Sequence, residues 1–435
     1  MECCLTPMKQ RSAMEQYDVI VLGGGPGGII AATAAARLGA RTALFEQHGF
    51  LGGMATAGLV TPISEFNKGG HRIIGGIPWE LMERLAALGG AQLDYPIGNV
   101  PYDAELFKLA AQRLVLESDV ALTLHSRYVR CVAEKEHILS IDLIAPGGLL
   151  TATAKVFVDC TSYAEMAFNA GAPMQALPTP DQAQPASLIF RMGGVDTAAL
   201  INTEPREDNT RYYQKNVQEC LLKLRHEGVA VPNFGGPWFC TVLRDGIVNI
   251  NMTRLASYPF DTEEATRAEC ELREQVFVFA ALLKQYFEPF KNAYVLQTGY
   301  EAGYRESRRL AGAHVLTGEE LLAGTVFEDT VAHCAHPVDF HHAAGSGQSV
   351  QFLNRVGNIP YRSLYACGID NLLVGGKCIS ADRTAYASTR VMASVMAIGQ
   401  AAGTAAALCV ETGNTVADLK TSKLMEQLIQ SGVIL

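Results

Sequence analysis

Between Asp18 and Phe45 the chain reads DVIVLGGGPGGIIAATAAARLGARTALF, followed at once by Glu46, and this stretch restricts the fold more tightly than any other. A β-branched and aliphatic run ends at Leu22, Gly23-x-Gly25-x-x-Gly28 interrupts it, and an alanine-rich segment of high helical propensity follows. The pattern predicts strand, turn, helix, strand. The first glycine permits the tight turn, the second lets a pyrophosphate approach the backbone, and the third brings helix close to strand. Phosphate charge would sit on the helix N-terminus, where unpaired N–H groups and the positive end of the dipole favour an anion. Glu46, about 20 residues on, is placed to accept hydrogen bonds from ribose hydroxyls. Glycine-rich turns are common, so the flanking strands, helix and acid carry the reading. The motif alone leaves FAD and NAD(P) both open.

At 435 residues the chain exceeds one typical domain, so two are expected. A composition 49% hydrophobic and 18% charged is that of a soluble globular protein. A net charge of −9 gives no electrostatic footprint for nucleic acid or an anionic membrane, and neither is expected as a partner. Eleven scattered cysteines, without a C-x-x-C pair or zinc-like spacing, suggest free thiols in a reducing cytoplasm. They also speak against a redox disulfide beside a cofactor. Residues 1–16 lack the apolar core of a signal peptide and read as a loose lead-in. Val391 to Val410 is uncharged and long enough to cross a bilayer, and Gly399-x-x-x-Gly403 mimics a membrane dimer motif. Its many alanines, with Ser394, Gln400 and Thr404, suit a helix buried in protein instead.

Gly52-Gly53, soon after Glu46, would let the backbone pass close beneath an extended dinucleotide, or would simply be a flexible loop. Pro101 to Leu116 has helical spacing with Asp103 as a possible cap. Val120–Leu124, Tyr128–Glu134, His137–Ile144 and Leu149–Val158 read as an antiparallel meander, turning at Pro146-Gly147-Gly148, and Cys160-Thr161-Ser162 follows its last strand. From about Ser187 to Leu310 short strands alternate with long charged helices at Thr210–Glu227 and Asp261–Phe287, a second domain inserted into the first. Asn371 to Ser380 is a strand running into Gly375-Gly376.

Together the fingerprint with Glu46, Gly52-Gly53-Met54-Ala55, Gly303-Tyr304-Arg305-Glu306-Ser307-Arg308-Arg309-Leu310-Ala311-Gly312, Pro337-Val338-Asp339, Asn371 to Ala381 and Arg390 through Gly403 resemble the FAD-dependent oxidoreductase family with the glutathione-reductase-type flavin fold. The resemblance implies an α/β, Rossmann-like FAD-binding domain, a parallel sheet with an antiparallel meander, carrying an inserted α+β substrate domain. The expected division is 15–185 and 321–435 for the FAD domain and 186–320 for the insertion. FAD is then the cofactor. Gly23, Gly25, Pro26, Gly27 and Gly28 would hold its pyrophosphate, with Glu46 and Gln47 at the ribose. Gly52, Gly53, Met54 and Ala55 would face the flavin side. Gly376 would pass near the ribityl or pyrophosphate, with Thr161, Arg390 and Ala402 also lining the cofactor. Relatives usually show Ala-Thr-Gly where this chain has Cys160-Thr161-Ser162, which puts that corner's role in question.

A helix N-terminus or an arginine aimed at N1 and O2 stabilises reduced flavin, and the segment at Arg390 offers both. Candidate catalytic residues are Arg305, Arg308 and His336. The arginines at 305, 308 and 309, with Glu301 and Glu306, could clamp a substrate carboxylate or lock the two domains together. His333, His336, Asp339, His341 and His342 crowd one stretch, where a histidine could move the proton that accompanies hydride transfer. A loose metal site, or ordinary solvated histidines, are the rivals, and no metal is expected. The leading expectation is a flavoenzyme passing hydride to or from a small organic substrate, with an external electron donor or acceptor. A flavin hydroxylase using NAD(P)H and oxygen, or a noncatalytic dinucleotide-binding protein, are the alternatives.

Overall fold

The structure is a computed structural model and describes residues 15–94, 98–179, 182–201, 210–241, 243–342 and 346–435. Most of the lead-in, residues 1–14, lies outside the described residues.

The chain opens with β1 (Glu15–Leu22), α1 (Pro26–Arg37) and β2 (Thr42–Phe45). A small hairpin, β3 (Asn67–Lys68) and β4 (His71–Arg72), precedes α2 (Gly76–Ala87) and α3 (Ala104–Glu117). Asp103 caps α3 by accepting from the backbone of Glu105 and Leu106. Next come β5 (Ala121–Thr123), β6 (Arg127–Glu134), β7 (His137–Ala145), β8 (Gly148–Asp159) and a short α4 (Glu165–Asn169). The inserted segment supplies β9 (Phe190–Gly193), α5 (Thr197–Ile201), α6 (Thr210–His226), β10 (Phe234–Thr241), β11 (Val248–Thr253), α7 (Thr262–Tyr286) and β12 (Tyr294–Thr298). The chain returns through α8 (Gly318–Ala323), β13 (Thr330–Cys334), β14 (Val338–His341), β15 (Gln348–Gln351), β16 (Gly357–Pro360), β17 (Leu372–Val374), α9 (Arg383–Thr389), α10 (Met392–Thr412) and α11 (Thr421–Gln430).

The larger sheet runs β5-β2-β1-β8-β7-β6, with β17 also on β8. Pairings of β1 with β2 and β8, of β2 with β5, and of β17 with β8 are parallel, whereas β6, β7 and the first part of β8 form an antiparallel ribbon. One correction follows for the meander: Ala121–Thr123 is not its first strand but the parallel neighbour of β2. β8 belongs to both parts, pairing with β7 through its first half and carrying on beside β1 to Asp159. The second sheet, β10-β11-β9-β12, is antiparallel and covers its own core, drawn from residues between Ala186 and Ala302. Side chains alternate through β9 with its lead-in and along β11: Leu188, Phe190, Met192, Val248, Ile250 and Met252 enter that core, so Ser187, Arg191, Asn249, Asn251 and Thr253 point the other way.

The apolar helix α10 is enclosed by protein, 94% of its most apolar window being buried. Gly399 and Gly403 are spent inside the molecule, against α1: a Cβ on Gly399 would meet the Gly27 carbonyl oxygen at 2.2 Å, and one on Gly403 the Ala31 oxygen at 2.1 Å. Because 27 pairs with 399 and 31 with 403, the two helices run in the same direction. At 1.5 Å per residue, α10 begins roughly 9 Å beyond the start of α1. Gly399→Ala should cost about 2 kcal/mol in urea unfolding by forcing these backbones apart. Gly147→Ala, where an added Cβ meets nothing within 4 Å, should change stability by less than about 0.5 kcal/mol. Equal stability for both variants would refute the close-packed pair.

Candidate functional site

The site begins where β1, β8 and β17 end. Gly23 has φ +98°, and a Cβ there would meet the Cys160 carbonyl oxygen at 2.8 Å, so only glycine fits this turn. Gly28 lies against the Gly23 carbonyl and Gly27 against the Gly375 carbonyl, both too close for any side chain. These two glycines bring backbones together. Gly25 is different: the nearest atom to its missing Cβ is the Gly53 Cα at 4.0 Å, and Gly376 likewise meets nothing closer than 3.5 Å. At both positions an added Cβ would make only ordinary contacts, with the second glycine loop at Gly25 and with the Cys160-Thr161 backbone at Gly376. Gly25 is also the N-cap of α1, with Pro26 in the first turn and no side chain capping the free N–H groups. Gly52 donates to the Gly24 carbonyl at 2.8 Å, which holds the second glycine loop opposite the first.

Glu46 is buried, 6% exposed. Its Oε2 accepts from the Gly24 amide at 2.6 Å, and its Oε1 accepts from the His48 amide and faces His48 Nδ1 at 2.9 Å. The Glu46 carboxylate in turn raises the His48 pKa above the ordinary value. His48 stacks on Phe50, meets Tyr300 edge-on, and has Glu301 at 3.8 Å, so the insertion's exit segment closes over the Glu46 corner. Gln47 is exposed. Thr161 donates through its amide and hydroxyl to Asp159, which also accepts from the Ala167 amide. Burial nonetheless raises the Asp159 pKa. In the Cys160-Thr161-Ser162 corner, Ser162 accepts from Ser307 through its carbonyl, tying the corner to the returning chain. Ala402 packs beneath, its Cβ 3.3 Å from where Gly375 would carry one.

The other end of the cleft lies at α10. Its N-cap, Val391, offers no side-chain cap, and buried atoms of Thr389, Arg390 and Ser394 have no hydrogen-bond partner among the described residues. Arg305 donates through Nη1 to the Pro185 carbonyl at 2.7 Å and to Ser187 Oγ at 2.8 Å, leaving its other guanidinium nitrogens unpaired among the described residues. Burial, then the charges of Arg390 and Arg254, pull its pKa down to about 9. Arg254 is 1% exposed. Its Nη1 donates to the His342 and Gly347 carbonyls and its Nη2 contacts His341 Nδ1 at 3.0 Å, while burial lowers its pKa to about 10.

Because His341 Nδ1 accepts from Arg254, its proton sits on Nε2, which donates to Asp339 Oδ2 at 2.9 Å. Burial and Arg305 push the His341 pKa down to about 3, so the ring is neutral at neutral pH. Burial alone would raise the Asp339 carboxyl, but the His341 hydrogen bond and the nearby cations hold it well below the ordinary range. Arg390 donates to the Asp339 carbonyl at 3.2 Å and approaches its carboxylate at 3.9 Å. His336, with burial and Arg390 lowering its pKa to about 4, is likewise neutral; its nearest acid is Glu65 at 3.8 Å.

The structure therefore unites Arg305, Arg390 and His336 and sends Arg308 elsewhere. Arg308 lies between the rings of Phe168 and Phe260, 4.2 and 4.1 Å from their centroids, and donates to the Tyr163 carbonyl. It clamps a seam between the inserted segment and α4 rather than facing the cleft. Arg309 pairs with buried Glu306, which also meets Arg383. Of the crowded histidines, exposed His342 binds Ser349, and no group of three or more His, Cys, Asp or Glu side chains gathers for a metal among the described residues.

Two cleft groups escape sequence reasoning, Arg254 and Lys377. Only the doublet Gly375-Gly376 immediately before Lys377 hinted at a second backbone approach. Lys377 Nζ donates to the Tyr304 carbonyl at 2.9 Å, and burial, then Arg390, lowers its pKa to about 8. Between that value and the ordinary 10.5 the unfolded chain binds the extra proton, so Lys377 makes stability rise with pH across this window. Below pH 8 both states are protonated and the contribution stops changing. Lys377→Met should thus be more heat-stable relative to its parent at pH 7.5 than at pH 10.5. A difference in Tm that stays constant with pH would show that the amine is not desolvated.

A family model described as FAD dependent oxidoreductase matches residues 18–428. Shorter likenesses also occur. The chain is 62% identical over 37 residues to a dihydrolipoyl dehydrogenase of Trypanosoma brucei brucei, 8% of each chain. It is 49% identical over 51 residues to a leghemoglobin reductase of Glycine max, 12% of this chain and 10% of that one. The matched stretches span about a tenth of these curated relatives. Among solved structures, a geranylgeranyl bacteriochlorophyll reductase-like protein from Thermoplasma acidophilum has a TM-score of 0.51 at 13% identity, over 97% of this chain and 85% of that one, a likeness of fold. The residues present fit FAD. The N-termini of α1 and α10 both lack a side-chain cap and are staggered roughly 9 Å along their axes, and buried atoms of Thr389, Arg390 and Ser394 at the second have no partner among the described residues, which suits an extended dinucleotide.

Proposed function

The chain belongs to the FAD-dependent oxidoreductase family, and from that premise we propose that it exchanges a hydride between FAD and a small organic acid held beside Arg305. The observation that carries this reading is the charge balance of the cleft. Arg254, Arg305, Arg390 and Lys377 converge there, and Asp339, the acid that acts on all three arginines, is already occupied by His341 and by Gln348 at 2.6 Å. A guanidinium in such surroundings is stabilised by a carboxylate, and Arg305 has nitrogens free to receive one.

FAD supplies the two-electron chemistry when bound. The backbone around Gly25 and Gly53 and the N-terminus of α1 would hold its pyrophosphate, Glu46 its ribose, and the N-terminus of α10 with Arg390 the pyrimidine edge of its ring. Arg305 orients the substrate carboxylate. His336, neutral at working pH, is positioned to accept the proton the substrate releases. The inserted sheet covers the cleft and excludes water, and an outside donor or acceptor completes the redox cycle.

The test is a titration of the yellow holoprotein with simple carboxylates, read by perturbation of the flavin spectrum, together with kcat/KM on a responsive compound. Arg305→Ala should weaken carboxylate binding and kcat/KM by about 10- to 100-fold. Arg308→Ala should stay within about threefold of the parent. Unchanged binding and rate in Arg305→Ala would overturn the clamp, and protein that neither holds nor takes up FAD would overturn the whole reading.

A further inference from the structure

The inner face of the inserted sheet carries a feature that hydride transfer to a simple acid does not use. Alternation along β9 and β11 turns Ser187, Arg191, Asn249 and Asn251 away from the lobe's own core, while Ile189 on the same face packs with the core of the FAD lobe. Register places Asn251 opposite Trp238, whose ring meets His341 edge-on at 5.2 Å and lies 5.8 Å from the Arg254 guanidinium. Ser187, on the same face, is the residue that Arg305 grips. This polar surface is therefore continuous with the cationic cluster.

Arg191 is its most demanding member. It is 6% exposed, yet no carboxylate pairs with it among the described residues. Its Nε donates to Asn249 Oδ1 at 2.7 Å and its Nη1 to Gln297 Oε1 at 3.4 Å, and its Nη2 has no partner among the described residues. Asn249 is itself fixed by donating to the Leu59 carbonyl and to Thr61 Oγ1, on the segment that follows the second glycine loop. Neutral amides can aim a guanidinium but cannot balance its charge, and a buried charge is costly unless paired. Four residue steps, about 13 Å of extended chain, separate Ser187, where the Arg305 guanidinium is held, from Arg191, a span that suits a short molecule.

We propose that Arg191 is a second anion-binding subsite and that the substrate is a diacid, one carboxylate on Arg305 and the other on Arg191. The proposal rests on Arg305 receiving the first carboxylate. Asn251, whose Oδ1 is unpaired, lies on the same face and accepts a hydroxyl between the two ends.

The experiment titrates the FAD-loaded protein with straight-chain α,ω-dicarboxylates of three to eight carbons and with monocarboxylates of matched length, following the flavin spectrum. The best dicarboxylate should bind at least about tenfold tighter than its monocarboxylate. Arg191→Gln, which keeps a hydrogen-bonding side chain between Asn249 and Gln297, and Arg191→Met should both erase that advantage and leave monocarboxylate binding unchanged. Arg305→Ala should weaken both series. Equal affinity of the two series in the parent protein would overturn the second subsite and leave the Arg305 reading standing. Failure of every carboxylate to perturb the flavin would overturn both, and the parent comparison decides even where a variant loses FAD.

Discussion

Two helices lie side by side with their positive ends toward the same cleft, and the rest of the molecule follows from that arrangement. α1 and α10 approach so closely that Gly399 and Gly403 touch the carbonyls of Gly27 and Ala31. Parallel dipoles at that distance repel, and neither N-terminus has a side-chain cap to soften the excess of N–H groups. Negative charge at those ends offsets the repulsion. FAD would provide it, and the stagger of the two helix ends suits an elongated ligand. Both halves of the pair come from distant parts of the chain, so the cleft exists only once residues beyond 390 have returned to the first strand. Cofactor binding and folding are linked through this contact.

The inserted lobe meets the cleft along a seam that uses up most nearby charges. Arg308 is stacked between aromatic rings, Arg309 and Arg383 share Glu306, and His48 bridges Glu46 and Glu301. These contacts fix how the second sheet sits over the first. Among the described residues, Arg191, Arg254 and Arg390 each keep a buried nitrogen without a hydrogen-bond partner.

Much of this was legible in the sequence, and the illegible parts share a cause. The fingerprint, the Asp103 cap, the long helices of the insertion and the buried helix near the end all depend on local periodicity or on a residue's own backbone needs. Ala121–Thr123 was misassigned to the meander because three residues of alternation cannot say whether a strand pairs parallel or antiparallel. Arg305, Arg308 and Arg309 look equivalent in sequence, but the segment carrying them is not a regular helix or strand. Its backbone sends one side chain into the cleft, one between two rings and one toward Glu306. Arg191 was overlooked because a single arginine in a strand looks like an exposed residue. Only the alternation of apolar neighbours into a separate core shows that its face is covered.

On the proposed reading, the pairing of Asp339 is what would let the cleft contain a carboxylate and still take an anion. His341 donates to one of its oxygens and Gln348 to the other, so both sides of the carboxylate face protein donors. Arg390 adds a contact at 3.9 Å without forming a close pair. The charge of Asp339 is thus directed at groups that hold the returning chain in place, and it lowers the cost of gathering three arginines without neutralising any of them. Arg305, with a pKa drawn down to about 9, remains protonated at neutral pH but is destabilised by its neighbours. An incoming carboxylate removes that destabilisation directly, since the same burial that penalises a lone guanidinium strengthens its attraction for a partner. On the proposed reading, affinity for an acid would thus be stored in the folded protein as unrelieved positive charge.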